Sequence, residues 1–430
     1  MDYKWAEYTV EQLIEMDMLD PPMDGNHGTI HPKTTDYVEE GVPFIMANDL
    51  INGTVNFKTC AHITDKQAKS LRKGFSHPGD VLLTHKATIG RTAIVPDDYS
   101  TIILTPQVTY YRTKKGIYNR YLRYYFDSPF FQQVFNNWAG AGSTRAYLGI
   151  TAQRKLPIIL PHYDVQVKIA EILGTLDDKI ELNNRINENL EQQAKSVFKS
   201  WFIDYDVFDE AKVESPIGNL IPESLEMVQI QDLPHILETG KRPKGGAVSD
   251  GIPSVGAENV KTLGVFDTSS AKYIPYDFAC SMKKGRINGY ELLLYKDGGK
   301  PGHFTPHFSM FGEGFPYEEF YINEHVFKLD FFDRGYNEFA YLYMQTDYPY
   351  HWLANNGGKA AIPGINQQDV NSIWIYRPDH PKVQEFCNWV QPLFTTIFKN
   401  CAQNMTLIKM RDSLLPKLMS GELDVSEIDI

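Results

Sequence analysis

Cysteine is scarce. Cys60, Cys280, Cys387 and Cys401 stand far apart, with no Cys-x-x-Cys pair, so neither a disulfide framework nor a zinc knuckle is signalled, and a reducing cytoplasm fits. No apolar run reaches the ~20 residues of a spanning helix. The opening Met1-Asp2-Tyr3-Lys4-Trp5 lacks a basic flank leading into an apolar core, so neither membrane insertion nor secretion is expected. Motifs for chemistry are missing too. Lys296-Asp297-Gly298-Gly299-Lys300-Pro301-Gly302 is wrongly spaced for a phosphate loop, which argues against NTP-driven translocation. Asp20-Pro21-Pro22-Met23 resembles the Asp/Asn-Pro-Pro-aromatic motif of adenine methylases only in part. Met23 cannot stack on a base, and no convincing glycine-rich cofactor loop accompanies it. His303 and His307 are four apart, but Pro306 between them argues against a helix presenting both to a metal. Asp80 with Lys86, and Glu291 with Lys296, miss the acid-x-Lys spacing of many nucleases. No catalytic residue, metal ligand or cofactor site is nominated.

What is present describes a folded, multi-part chain. Hydrophobic residues make up 42% and aromatic ones 13%, which argues against disorder. At 430 residues the chain exceeds one ordinary core. The net charge of −12 should repel phosphate, but it is unevenly spread. Between Ser100 and His162, Arg112, Lys114, Lys115, Arg120, Arg123, Arg145, Arg154 and Lys155 face the single acid Asp127. Thr239 to Phe304 carries ten basic residues against six acids, whereas Glu313 to Asp347 carries eight acids against Lys328 and Arg334. Two basic islands on an acidic body are compatible with local DNA contact, or with uneven surface charge alone.

The chain is written twice. Gly41-Val42-Pro43-Phe44-Ile45-Met46-Ala47-Asn48-Asp49-Leu50 returns as Gly251-Ile252-Pro253-Ser254-Val255-Gly256-Ala257-Glu258-Asn259-Val260. In the same order, Val81-Leu82-Leu83 up to Lys86 matches Leu292-Leu293-Leu294 up to Lys296, Tyr118-Asn119 matches Tyr336-Asn337, and Leu148-Gly149-Ile150 matches Pro363-Gly364-Ile365. Two helical stretches follow Pro161 and Pro378, aligned through Val165-Gln166 with Val383-Gln384 and Asp206-Val207 with Asp424-Val425. The order is globule, helix, globule, helix.

Both helical stretches carry a narrow seam. Ile169, Leu173, Leu176, Ile180, Asn183, Asn187, Leu190, Ala194, Val197 and Trp201 alternate steps of four and three, the 3.5-residue period of a coiled coil. Val383, Cys387, Val390, Phe394, Ile397, Cys401, Asn404 and Ile408 do the same, just after Pro381, a residue suited to a first helical turn. A helix from Tyr163 to Phe202 would span about 60 Å and hold two globules apart. Asn183, Asn187 and Asn404 interrupt the seams: either they lock the register between the helices, or they sit exposed where a helix turns away from its partner.

The globules read as mixed α/β. Val81-Leu82-Leu83, Ile102-Ile103-Leu104, Val108-Thr109-Tyr110-Tyr111 and Glu291-Leu292-Leu293-Leu294-Tyr295 are strand-like runs bounded by Gly, Pro or Asp. Tyr118 to Trp138 and Tyr336 to Trp352 look like aromatic-faced helices. The fold class is α+β: two repeated mixed α/β domains separated by two long helices packed as an antiparallel coiled coil. The expected parts are residues 1–161, 162–206, 207–379 and 380–430.

Several stretches together resemble the specificity subunits of type I restriction-modification systems. They are Ile169-Ala170-Glu171-Ile172-Leu173, Leu176-Asp177-Asp178-Lys179-Ile180-Glu181-Leu182-Asn183, Phe198-Lys199-Ser200-Trp201-Phe202-Ile203-Asp204-Tyr205, Ile221-Pro222-Glu223-Ser224 and Leu414-Leu415-Pro416-Lys417-Leu418-Met419-Ser420-Gly421-Glu422-Leu423. The resemblance implies a non-catalytic chain whose globules each read one half of a split, asymmetric site in double-stranded DNA, with the helices setting the spacing. It also implies two docked modification (methyltransferase) subunits that bind S-adenosylmethionine, and a restriction (motor-nuclease) subunit. Asn26-His27-Gly28 and Lys241-Arg242-Pro243 occupy corresponding loops but differ, so the halves should read different sequences. Because phosphate contacts position and base-edge contacts specify, candidates are basic, amide, hydroxyl and aromatic residues of the loops. In the first globule they are Asn26, His27, Lys33, Lys86, Arg91, Ser143, Thr144, Arg145 and Tyr147; in the second, Lys241, Arg242, Lys244, Lys296, Lys300, His303 and Lys359. Each is weighed against ordinary solvated surface. The competing readings are a stand-alone or fused DNA adenine methyltransferase, and a coiled-coil adaptor that binds only proteins.

Overall fold

The apolar run at Val81–Thr84 is buried along its whole length, as a strand covered on both faces must be. It pairs antiparallel with Thr92–Ile94 on one side and Val108–Tyr111 on the other, and Met23–Asp24 completes a four-stranded sheet. A computed structural model describes residues 5–140, 146–268, 271–298, 300–358 and 363–428. Contacts divide the chain into two units, Met1–Asp178 with Leu407–Ile430, and Lys179–Thr406.

In the first unit a second sheet runs in the order Tyr37–Val38, Ala61–Ile63, Val42–Ile45, Ile102–Leu104, Phe75–Ser76. Its Val42–Ile45 and Ile102–Leu104 strands are parallel, with Ile103 opposite Phe44. Ile45, Leu82, Ile102, Leu104 and Val108 close one apolar core. The aromatic-faced stretch is two helices, Asn119–Asp127 and Pro129–Ala139, where one was expected. The break follows from Pro129, which disfavours helical backbone at Ser128. Ser128 instead caps the second helix, its Oγ accepting from the Phe131 N–H at 3.3 Å.

The second unit repeats this architecture. Leu292–Tyr295 is flanked by Phe308–Met310 and Val326–Asp330, with Ile236–Thr239 at the edge. Ile252–Val255 pairs in parallel with Tyr321–Ile322 and antiparallel with Lys272–Ile274. Arg334–Tyr343 and Asp347–Gly357 divide the other aromatic stretch in the same way. Backbone hydrogen bonds fix the correspondence. The His85 N–H donates to the Gln107 carbonyl and its own carbonyl accepts from Leu148; Lys296 does the same with His325 and Ile365. His85 therefore matches Lys296, and Lys86 matches Asp297, one residue away from the pairing of Lys86 with Lys296 expected from the repeated sequence.

The two long helices are Tyr163–Lys199 and Pro381–Met419, and each contributes to both units. Within the first unit Ile169 and Leu173 share a core with Leu415, Leu418, Met419 and Val425. Within the second, Ala194 and Phe198 share one with Val383, Phe386, Val390 and Phe394. The direction is antiparallel, since Asn183 meets Asn404 while Asn187, four residues on, meets Asn400. Of the two readings of the seam asparagines, the exposed one does not hold: they face one another across the helix pair, as a register lock requires. The Asn183 amide donates to Asn404 Oδ1 and Gln403 Oε1, each at 2.8 Å, and the Asn404 amide donates to Asn184 Oδ1 at 2.8 Å. Ile408, expected in the seam, is 37% exposed, consistent with the ~20° per heptad by which a straight helix drifts from a 3.5 repeat.

Candidate nucleic-acid interface

Three loops converge in the first unit: the one after Met23–Asp24, the one after Val81–Thr84 and the one before Val108–Tyr111. Their approach depends on Gly25, where a Cβ would lie 1.9 Å from the Leu104 carbonyl oxygen. His27, His31, Tyr37, Lys86, Thr105 and Gln107 line a shallow pocket there. Beneath it lies Asp24, 3% exposed. Its Oδ2 is 2.8 Å from His27 Nε2, and its Oδ1 accepts from Lys73 Nζ. Burial pushes the Asp24 carboxyl up, but Lys73 and His27 outweigh this and hold it below the ordinary carboxylate value. His85 is fully buried, with Nδ1 3.0 Å from the Leu148 carbonyl and Nε2 3.9 Å from Asp24 Oδ2. Burial lowers its pKa, against the pull of the Leu148 carbonyl and Asp24.

The structure brings His27, Lys86 and Tyr147 together here. Lys86 is exposed and bridges the Tyr147 backbone, and the half-exposed Tyr147 ring packs 5.6 Å from His85. Asn26 is placed differently from a free contact residue. It is buried, its Nδ2 donating to the Lys73 carbonyl and its Oδ1 accepting from the Arg72 N–H at 3.0 Å, so both amide atoms are spent on shaping the loop. Lys33 and Arg91 are exposed, away from the pocket lining. Ser143, Thr144 and Arg145 lie outside the described residues, as does Lys359.

The corresponding loops of the second unit carry different chemistry. Gly240 repeats Gly25, with a Cβ position 1.6 Å from the Ile322 carbonyl oxygen. Lys296 stands where His85 does; its Nζ donates to the Glu324 carbonyl at 3.0 Å and lies 3.1 Å from Asp297 Oδ2. Asp297 also receives His325 Nδ1, and Arg242 lies 3.9 Å from Glu324. Beside this cluster, Thr239, Lys296, Phe327, Asn366, Gln367 and Gln368 line an open depression. Lys241, Lys244, Lys300 and His303 are exposed on the neighbouring loops. Sequence reasoning missed Asp24, Lys73 and His85 in the first cluster and Asp297, Glu324 and His325 in the second. A one-residue shift of the repeat alignment beyond the paired strands would have matched His85 with Lys296. Among the described residues, no group of three or more His, Cys, Asp or Glu could hold a metal ion, and no helix is long and apolar enough to cross a membrane.

Residues 4–192 match the family described as type I restriction modification DNA specificity domain. The chain is 28% identical to the type I restriction enzyme MjaIX specificity subunit of Methanocaldococcus jannaschii, over 92% of this chain and 90% of that one. It is 22% identical to the HindI specificity subunit of Haemophilus influenzae, over 89% and 94%. Its fold resembles that of the type I restriction-modification S subunit from M. genitalium, with a TM-score of 0.55 and 13% identity over 97% of this chain and 96% of that one. With its domain signature over residues 4–192, its relatives along about nine-tenths of its length and its duplicated α/β fold, the chain is similar to the specificity subunits of type I restriction-modification systems.

Proposed function

We propose that this chain gives a type I restriction-modification complex its DNA sequence specificity, each globule reading one half of a split, asymmetric site. One observation carries the reading: two copies of one fold present, at the same place, loop clusters of different hydrogen-bonding character. The first offers His27, Lys86 and Tyr147 around a buried carboxylate; the second offers Lys296, Asp297, His325 and Arg242. Donor and acceptor patterns that differ in this way suit different base edges in the major groove. Lys33, Arg91, Lys241, Lys244, Lys300 and His303, with Ser143, Thr144, Arg145 and Lys359, are proposed as further contacts, mostly to phosphate. Asn26 is assigned to holding its loop.

In this reading residues 1–161 and 207–379 are the target-recognition domains, and 162–206 and 380–430 are the helices that set the spacing and dock partners. The partners are two modification subunits, which bring S-adenosylmethionine and the methyl transfer, and a restriction subunit, all in the cytoplasm. The chain itself reads DNA and performs no chemistry. A fused methyltransferase is disfavoured, because relatives matched over nine-tenths of their length carry the name specificity subunit.

Mapping methylated adenine in host DNA with and without this chain tests the proposal. A split asymmetric motif should appear only when the chain is present. Methylation that does not depend on the chain, or a continuous motif, would refute the reading. Tight binding of S-adenosylmethionine by the purified chain alone would favour the methyltransferase.

A further inference from the structure

One carboxylate in the first unit joins three elements. Asp177, on the first long helix, accepts from Arg123 Nη1 at 2.7 Å, from the Tyr124 hydroxyl at 2.7 Å and from Arg411 Nη1 at 2.9 Å. Arg123 and Tyr124 belong to the globule's helix Asn119–Asp127, and Arg411 belongs to the second long helix. The Arg123 guanidinium also pairs with Asp127 at 3.0 Å and lies 4.4 Å from the centre of the Tyr124 ring. Asp127 is held in turn by the Thr92 hydroxyl at 2.5 Å. Gly53 roofs the arginine so closely that a Cβ there would stand 2.2 Å from Nη2. The Arg123 side chain is only 9% exposed.

The second unit solves the same joint differently. Tyr341 sits at the position of Arg123, its ring edge-on to Phe394 and its hydroxyl donating to Glu191 Oε1 at 3.2 Å. That unit's charged contact with the long helix is made elsewhere, by Arg334, which pairs with Glu338 at 3.0 Å and donates to the Gln391 carbonyl at 3.0 Å; the carboxylate that gathers two arginines and a tyrosine belongs to the first unit. A buried ion network contributes little net stability compared with an apolar replacement, yet it tolerates few geometries, because each charge must keep its partner. Apolar packing alone lets a helix slide or tilt at small cost.

We propose that Arg123 and Asp177 are positioning residues that hold the first globule at one attitude on the helix pair, and so determine which spacer length the protein accepts without reading any base. This rests on the bipartite reading above. One base pair of spacer moves a half-site by about 3.4 Å along the duplex, so a globule free to tilt by a comparable amount would accept neighbouring spacers.

The test is methylome mapping of cells carrying the full chain with its own modification subunits, comparing wild type with Arg123→Met, Asp177→Asn and Arg411→Gln. Wild type should modify one spacer length. Arg123→Met and Asp177→Asn should keep both half-site sequences and raise methylation at spacers one base pair shorter or longer at least tenfold. Arg123→Lys should restore much of the discrimination. Variants that assemble and keep the single spacer would overturn the proposal, as would variants that lose the first half-site sequence. If Arg123→Met fails to fold, Arg411→Gln decides, since it leaves the Arg123 to Asp177 bond in place; its own failure to fold would make the joint a stability element and sink the idea. A wild-type motif without a split defeats the functional reading itself, an outcome visible before any variant is made.

Discussion

Glu338 is fully buried, with one carboxylate oxygen 3.0 Å from Arg334 Nε and the other without a partner. Burial pushes its pKa up to about 7, against the pull of Arg334. A folded-state value above the unfolded one means stability that is complete below about pH 4.5 and lost as pH rises through 7, at ~1.4 kcal/mol per unit. The chain should therefore unfold at a lower temperature at pH 8 than at pH 5.5, and Glu338→Gln should flatten that difference in calorimetry. At the crossing glycines, Gly25→Ala and Gly240→Ala each force a Cβ onto a backbone carbonyl. Each should cost ~2–3 kcal/mol, readable by denaturant titration. Of the candidate cluster, the exposed members His27, Lys86 and Tyr147 were legible as polar, basic or aromatic loop positions. Asn26 was not, because its burial depends on backbone groups of Arg72 and Lys73, distant in sequence. Asp24 and His85 were hidden for the same reason: partners that only folding supplies give them their role.

At the scale of elements, the seam was the most readable part of the chain. A 3.5-residue repeat is a local pattern, and it gave both long helices and the strip along which they pair. What it left open was the role of the asparagines, because a polar seam residue is costly or useful depending on what faces it. Asn183, Asn184, Asn187, Asn400 and Asn404 face one another. Replacing both Asn183 and Asn404 with Leu should raise the melting temperature while loosening the pairing. The loosening would appear as new cysteine cross-links one turn out of register, and a single unchanged cross-link pattern would show that the apolar residues alone set the alignment. The aromatic helices were less legible: a continuous apolar face concealed the breaks at Ser128-Pro129 and near Thr346.

For the whole molecule, the duplication read from the sequence extends to strand order, the parallel strand pair and the divided aromatic helices in both units. Collinear matches reveal a repeat but cannot reveal a one-residue slip beyond a paired strand, which is why Lys296 was matched to Lys86. Phosphate contacts by the proposed lysines and arginines, made against a net charge of −12, predict that the assembled complex binds its duplex with steep salt dependence, its affinity falling at least tenfold between 50 and 200 mM salt. A filter-binding series would measure this, and a flat response would argue against phosphate contacts. Deleting Lys382 to Ile430 should abolish co-purification of the modification subunits; full assembly by the shortened chain would show that they dock elsewhere.

The first unit takes its core from both ends of the chain, since Leu415, Leu418, Met419 and Val425 pack among Val165, Ile169 and Leu173. Its interior cannot be finished during synthesis until Val425 has been translated. A nascent chain halted before Leu407 would carry its opening half with an uncovered greasy stripe, a target for chaperones and proteases. Translation past Val425 is thereby a checkpoint, and only then can the first unit close.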